Sequence, residues 1–210
     1  MFEVLPGILE KEWSAIERKL EIIKPFAKSV HIDLLDGKFA PNTTFADPTP
    51  FKKYADYFTF ELHMMVENPE EYLDRFAQAG FKRFIGHIEK MKDPVAFVAK
   101  AQLLGEVGLA IDGPTAPDLL QVPLQDLDSV LIMTITAGFS GQPFDEQHLE
   151  KVKALRQRTD ITIEVDGEVN DQTLLKAKEA GANRFVATSF IFNSDDPKKQ
   201  YHKLLALAQG

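Results

Sequence analysis

The sequence predicts a (β/α)8 barrel, formed by a single domain over residues 1–210. Short apolar runs alternate eight times with amphipathic segments, which is typical of parallel strands joined by helices. Eight such units in 210 residues fit a compact closed barrel better than an open sheet. Histidines and aspartates also fall within or near the carboxyl ends of three predicted strands, and barrel active sites are built at that end.

The predicted strands are short apolar runs at 2–9, 29–34, 59–64, 83–87, 107–111, 129–134, 162–165 and 184–187. Between and after them, apolar residues at helical spacing predict helices. These helices lie at 11–23, 51–57, 69–79, 94–104, 117–121, 146–158, 172–180 and 197–207.

Turn-forming residues bound two of these helices. Asn68 is suited to cap the helix at 69–79, and Gly80 to end it. Asn170 or Asp171 is suited to cap the helix at 172–180, and Gly181 to end it.

The composition restricts the classes of partner and compartment. With 24 basic and 32 acidic side chains, the net charge of -8 argues against nucleic acid or an anionic membrane as the main partner. The absence of cysteine excludes disulfides and fits a reducing compartment. The N-terminus lacks a signal-peptide pattern, and no apolar run approaches a membrane span. The cytoplasm is therefore the expected location.

Four polar residues in three predicted strands form a candidate metal site. His31 and Asp33 share one face of a strand because alternate residues point the same way. His63 lies in a second apolar run, and Asp166 ends a third. Burying such groups without partners is costly, so they normally pair or coordinate a metal. Two imidazoles and two carboxylates suit one divalent ion, namely Zn, Fe, Co or Mn.

A metal in such a set can act as a Lewis acid on a carbonyl and acidify the adjacent C–H bond. Two carboxylates on opposite sides of a planar enediolate could then invert that carbon, one removing a proton and the other returning it to the opposite face. No redox cofactor is needed. The residues alone leave metal-assisted hydrolysis and a metal-dependent aldol reaction open.

Several motifs resemble, in order, those of the ribulose-phosphate 3-epimerase family, and the resemblance extends from about 6 to 192. They are HID at 31–33, DGKFAPN at 36–42, LHMMV at 62–66, GFSGQ at 138–142 and EVDG at 164–167. The resemblance implies a carbohydrate isomerase of the pentose phosphate pathway. It would interconvert D-ribulose 5-phosphate and D-xylulose 5-phosphate through a cis-enediolate, commonly with zinc or iron.

The resemblance also assigns roles to residues of this chain. His31, Asp33, His63 and Asp166 would hold the metal, and the two aspartates would be the acid/base pair. The loop at 138–142 would close over the substrate. His87 would support the site rather than bind the metal. The implied substrate-binding residues are Gly7, Met65, Met133, Gly138, Gly141, Gln142, Gly167 and Ser189.

Three departures from the family pattern fall at substrate contacts. Gly7 stands where the family has a serine that contacts a sugar oxygen, and Glu168 and Thr188 stand where it has glycines. A carboxylate about 4 Å from a phosphate would repel it by roughly 1 kcal/mol per charge pair in water, and by about 4 at an effective dielectric near 20. Either Glu168 turns away or the substrate differs. Backbone amides at 167, 168, 188 and 189 can still donate to phosphate.

Two alternative functions stay open, and the departures at Gly7, Glu168 and Thr188 favour the first of them. One is an epimerase acting on another ketose or ketose phosphate. The other is a catalytically silent barrel that keeps a metal for stability or serves as a binding subunit. The presence of both aspartates argues against the silent barrel. The predicted partner is a small sugar phosphate, and the family's dimers and hexamers suggest a homo-oligomer. Ser140 replaces a more usual glycine in the loop at 138–142.

Overall fold

The structure, a computed structural model, describes residues 2–139 and 141–210. Eight parallel strands pair in chain order and close into a barrel. Closure occurs between the first strand and the last, with Glu3 opposite Arg184. The predicted (β/α)8 fold is therefore confirmed. The strands are β1 (Glu3–Ile8), β2 (Ser29–Leu35), β3 (Thr59–Met65), β4 (Phe81–His87), β5 (Glu106–Ile111), β6 (Ser129–Met133), β7 (Thr162–Asp166) and β8 (Arg184–Ala187).

The helical layer is less regular than the sequence predicts. Its α-helices are α1 (Trp13–Ile23), α2 (Glu70–Gln78), α3 (Pro94–Ala101), α4 (Leu149–Arg156), α5 (Thr173–Ala180), α6 (Ser189–Phe192) and α7 (Pro197–Gln209). The helices predicted at 51–57 and 117–121 are 3₁₀ turns, at Thr49–Tyr54 and Pro117–Leu120. Both segments are short, of six and four residues, and 3₁₀ turns are common in short connecting segments of this kind. The one-turn helix α6 is not predicted.

Three of the four predicted caps and ends of these two helices are confirmed. Gly80 and Gly181 follow α2 and α5 with φ of +101° and +113°, the left-handed conformation that glycine readily adopts. Asn170 Oδ1 accepts hydrogen bonds from the amides of Gln172 and Thr173 at 2.9 and 3.0 Å. The predicted side-chain cap by Asn68 is wrong: α2 begins after Pro69 without a side-chain cap.

Strand alternation divides the buried residues into two layers. Val30, Ile32 and Leu34 of β2 face the helices and join the larger apolar core. The intervening His31 and Asp33 face the barrel axis, since successive strand residues point to opposite faces. The candidate site therefore lies inside the barrel, toward the carboxyl ends of the strands.

Within residues 2–139 and 141–210, every helix falls short of the length and apolar character that a membrane crossing requires.

Candidate active site

The four predicted metal ligands converge inside the barrel. His31 and Asp33 come from β2, His63 from β3 and Asp166 from β7, and one ligand atom from each lies within 4.8 Å of those of the others. His63 Nδ1 is 2.9 Å from Asp33 Oδ1 and 3.6 Å from Asp166 Oδ2. His31 Nε2 is 3.4 Å and 3.8 Å from the same two carboxylate oxygens. Two imidazoles thus face two carboxylates.

These residues fit a divalent cation. His31 Nε2 is buried and has no hydrogen-bonding partner among the described residues, although it points at both carboxylates. A buried polar atom without a partner is costly, and a metal would use its lone pair. Two nitrogen and two oxygen donors suit zinc, iron, cobalt or manganese, and the donor set alone does not choose among them.

A layer of buried charges below the cluster orients His31. Its Nδ1 lies 2.8 Å from Glu61 Oε1 and 3.4 Å from Glu164 Oε1. Arg184 Nη1 is 3.1 Å from Glu61 and 3.4 Å from Glu164. A proton on Nδ1 donated to Glu61 leaves the Nε2 lone pair directed at Asp33 and Asp166. The sequence analysis missed these supporting residues.

His63 is oriented by a second chain of contacts. Its Nε2 lies 2.8 Å from His87 Nε2, and His87 Nδ1 lies 3.0 Å from Glu89 Oε2. When His63 Nε2 donates its proton to His87 Nε2, and His87 Nδ1 donates its proton to Glu89, His63 Nδ1 carries no proton. Its lone pair then faces Asp33. Burial lowers the pKa of His87 and so favours the neutral ring that this arrangement requires. His87 faces His63, consistent with the supporting role that the sequence predicts.

The two aspartates differ in their electrostatic environment. Burial and the neighbouring charge of Asp33 raise the pKa of Asp166 to about 6. Burial also disfavours the charged form of Asp33, but in the metal-free site the positive charge of a protonated His31 outweighs burial and holds the pKa of Asp33 well below its usual range. A bound cation would take the place of that proton on Nε2. Carboxyl groups whose pKa values are pushed apart are suited to opposite roles in proton transfer.

The pKa of Glu164 makes stability depend on pH. Burial and the neighbouring charge of Glu61 raise this pKa from an ordinary 4.5 to about 8. The folded protein therefore binds this proton more tightly than the unfolded chain, and the stabilisation is lost as pH rises from about 4.5 to 8. Glu164→Gln carries no charge at any pH. We expect it to stabilise the chelator-treated protein at pH 9 by roughly 1–3 kcal/mol, and much less at pH 5.

Urea unfolding of wild type and variant between pH 5 and pH 9 measures this difference. Glu106→Gln is the matched control, because it removes a half-exposed carboxylate beside the same Arg184. An advantage of Glu164→Gln that is equal at both pH values would contradict the assignment.

A cavity of about 470 Å³, including its open mouth, lies above the four converging residues. Asp33 and Asp166 contribute to its lining, which gives a small molecule access to both carboxylates. The lining also includes six of the predicted substrate-binding residues, namely Met65, Met133, Gly138, Gly141, Gly167 and Ser189.

Two predicted substrate-binding residues are placed differently. Gln142 braces the loop after β6, since its Nε2 donates to the carbonyl oxygens of Thr136 at 2.7 Å and Phe139 at 2.8 Å. Gly7 is buried in β1. Direct contact between these residues and a substrate stays a prediction. Ser140, of the same loop as Gln142, lies outside the described residues.

Glu168 contributes to the cavity lining and has an unusual backbone. Its φ is +48°, in the left-handed region that glycine adopts more readily than other residues. Its carbonyl oxygen accepts a hydrogen bond from Thr173 Oγ1 at 2.9 Å, which ties this turn to the start of α5. This hydrogen bond stabilises the turn after β7 although position 168 is not a glycine.

Comparisons with known proteins agree with this geometry. The sequence matches the ribulose-phosphate 3 epimerase family over residues 3–192. It is 32% identical to a ribulose-phosphate 3-epimerase of Bacillus subtilis over 95% of this chain and 96% of that protein. It is 34% identical to one of Candida glabrata over 92% of this chain and 87% of that protein. A 3-hexulose-6-phosphate synthase of Salmonella typhimurium shares the fold at a TM-score of 0.74, with 12% identity and coverage of 99% of this chain and 98% of that one.

Proposed function

Because this chain belongs to the ribulose-phosphate 3 epimerase family, we propose that it interconverts D-ribulose 5-phosphate and D-xylulose 5-phosphate by inverting C3. One observation carries the proposal. Two buried carboxylates, Asp33 on β2 and Asp166 on β7, face the same cavity from different sides of the barrel. Inversion requires a proton to leave one face of a carbon and another to arrive at the opposite face, which two such groups can perform.

The proposed cofactor is one divalent ion held by His31, Asp33, His63 and Asp166. When bound, such an ion supplies Lewis-acid polarisation of the substrate carbonyl. The partnerless Nε2 of His31 supports this proposal, as does the orientation of both rings by buried acceptors.

Asp33 and Asp166 would divide the proton transfers. In one direction, one carboxylate removes the C3 proton, the C–H electron pair forms the C2–C3 double bond of an enediolate, and the π pair of the C2 carbonyl moves onto its oxygen. The other residue, as the carboxylic acid, then donates a proton to the opposite face of C3 while the C2 carbonyl re-forms. In the reverse direction the two residues exchange roles. Met65 and Met133 border the cavity with apolar surface, which would limit the access of water to the intermediate.

The phosphate would be held mainly by backbone. The described residues that line the cavity include no lysine or arginine. The backbone amides of Gly167, Glu168, Thr188 and Ser189, in the turns after β7 and β8, are the proposed donors. This assignment keeps the sugar phosphate as substrate in spite of the carboxylate of Glu168.

The proposal is tested by solvent exchange. Metal-loaded protein is incubated with D-ribulose 5-phosphate in D2O, and NMR follows deuterium at C3 together with formation of D-xylulose 5-phosphate. We expect both signals, and we expect a chelator to remove both. A metal-loaded protein that produces neither signal would refute the proposed substrate.

A second candidate is an epimerase of another ketose. It is favoured by Glu168 in the cavity lining and by the lack of a cationic side chain among the described lining residues. Unphosphorylated ketoses and longer ketose phosphates in the same exchange assay distinguish the two candidates. Exchange that is faster with an unphosphorylated ketose than with D-ribulose 5-phosphate would support the second.

A further inference from the structure

Thr188, the residue that follows β8, covers a glycine of the neighbouring strand β1. A Cβ atom added to Gly7 would lie 2.4 Å from Thr188 Oγ1 and 2.8 Å from Val186 Cγ1. Both distances are far below ordinary van der Waals contact, so the Thr188 side chain fills the space in which a side chain at position 7 would begin. A side chain at position 7 would therefore require a smaller side chain at position 188.

The Thr188 hydroxyl lies near the reacting end of the cavity. Gly7 is opposite His31 in the β1–β2 register, so the hydroxyl covers β1 at the level of a proposed metal ligand. Thr188 also lines the cavity that Asp33 and Asp166 line. A substrate that binds between the two carboxylates would therefore share one cavity with this side chain.

The hydroxyl is available to a ligand. In residues 2–139 and 141–210, Thr188 is held through its carbonyl oxygen, which accepts from the amides of Ile191 and Phe192, and its hydroxyl has no protein partner. Threonine is restricted at χ1, and the backbone of Gly7 lies beneath the hydroxyl, so its position is largely fixed before a ligand binds. A hydroxyl can donate and accept at once, which suits a sugar hydroxyl or carbonyl oxygen.

We propose that Thr188 is a specificity-determining residue whose hydroxyl binds an oxygen of the ketose backbone close to the inverted carbon, and that Gly7 is required to make room for it. The inference rests on the proposed function, because it places the sugar between Asp33 and Asp166. The hydroxyl group that binds this sugar oxygen would then come from the residue after β8, and not from position 7 on β1. The proposed phosphate contacts use backbone amides, that of Thr188 included, and do not use this hydroxyl.

Thr188→Val tests the hydroxyl, because it removes the oxygen and nearly preserves the side-chain volume. We expect kcat/KM for D-ribulose 5-phosphate to fall roughly 3- to 15-fold, the range of one neutral hydrogen bond. Thr188→Ser should recover most of the loss. The melting temperature should change little, since the hydroxyl has no protein partner to lose. These two variants separate a substrate contact from a structural role.

The size coupling is tested by moving the hydroxyl to the other strand. Gly7→Ser alone should lower the melting temperature and the activity, because its Cβ meets Thr188. Thr188→Gly alone should be folded and weak in activity. In the double variant Gly7→Ser/Thr188→Gly the contact of the new Cβ with Val186 remains, but its contact with Thr188 is removed. The melting temperature should therefore fall by less than the sum of the two single losses, and kcat/KM should exceed that of Thr188→Gly because a hydroxyl is restored.

The outcomes separate this inference from the proposed function. Wild-type protein that is inactive with D-ribulose 5-phosphate would overturn the proposed function, and the inference with it. Active wild-type protein together with a Thr188→Val variant of equal kcat/KM would overturn the inference alone. So would a double variant whose loss of melting temperature equals the sum of the two single losses, since the two positions would then not share one space.

Discussion

We expect Asp33→Asn and Asp166→Asn each to abolish interconversion of the two epimers while each retains deuterium exchange with one of them. Inversion needs a proton donor on each face of C3, and each variant keeps a carboxylate on one face only. The remaining carboxylate can still remove the C3 proton of the epimer whose C3 hydrogen lies on its side. It can then return a deuteron to that same face of C3. Interconversion should fall by about 10³-fold or more.

The measurement incubates each pure epimer separately with each variant in D2O. The two variants should exchange opposite epimers. Both are assayed at saturating metal with the metal content determined, because the same carboxylates would hold the ion. Asp74→Asn, at an exposed position on α2, is the matched control and should behave as wild type. A variant that exchanges both epimers equally would argue for a single base.

Among residues other than the four proposed ligands, we expect substitution of Glu61 to weaken metal binding the most. It accepts from His31 Nδ1 and is bound by Arg184, so it fixes which nitrogen of His31 faces the carboxylates. Glu61→Gln should weaken metal binding roughly 10- to 100-fold, as is typical when the partner of a ligating histidine is changed. Competition with a chromophoric zinc chelator measures the affinity directly.

The stability of a second variant checks the same arrangement without metal. Glu61→Ala leaves Arg184 buried with Glu164 as its remaining interior partner, and we expect a loss of about 3 kcal/mol, the lower end of the range for breaking a buried pair. Glu106→Gln again serves as control, because its carboxylate is half exposed and does not contact His31. Zinc affinity that is unchanged in Glu61→Gln would refute the orienting role.

Strand alternation explains how much of the site could be predicted. The rule that pairs His31 with Asp33 on one face also places Glu61 on the face of His63, and Glu164 on the face of Asp166. The same alternation is therefore sufficient to predict that both glutamates face the barrel interior, although neither is among the predicted site residues. Glu164 and Arg184 are partners in register on the adjacent strands β7 and β8. The contact of Arg184 with Glu61 of β3 could not be predicted in this way, because it crosses the interior and forms only in the closed barrel.

The parts of the fold that escaped prediction share a physical cause. The eight strands are read from local apolar runs, whereas the connections after β2 and β5 depend on how a short segment packs across the barrel wall. These segments of six and four residues form 3₁₀ turns, which are common in short connections, in place of the predicted helices. The proximity of Gly7 and Thr188 also depends on closure, since these residues are distant in sequence and lie on the strands that join last.

The buried charges beneath the site have a consequence for how the protein is made. Arg184 and Glu61 are 123 residues apart in sequence, yet each is the other's counter-ion. During translation the strands that carry His31 and His63 leave the ribosome long before the strand that carries Arg184. Until that strand arrives, the arginine contact available to Glu61 is the longer one of 4.0 Å with Arg83 of β4. The arginine therefore links completion of the chain to assembly of a competent site.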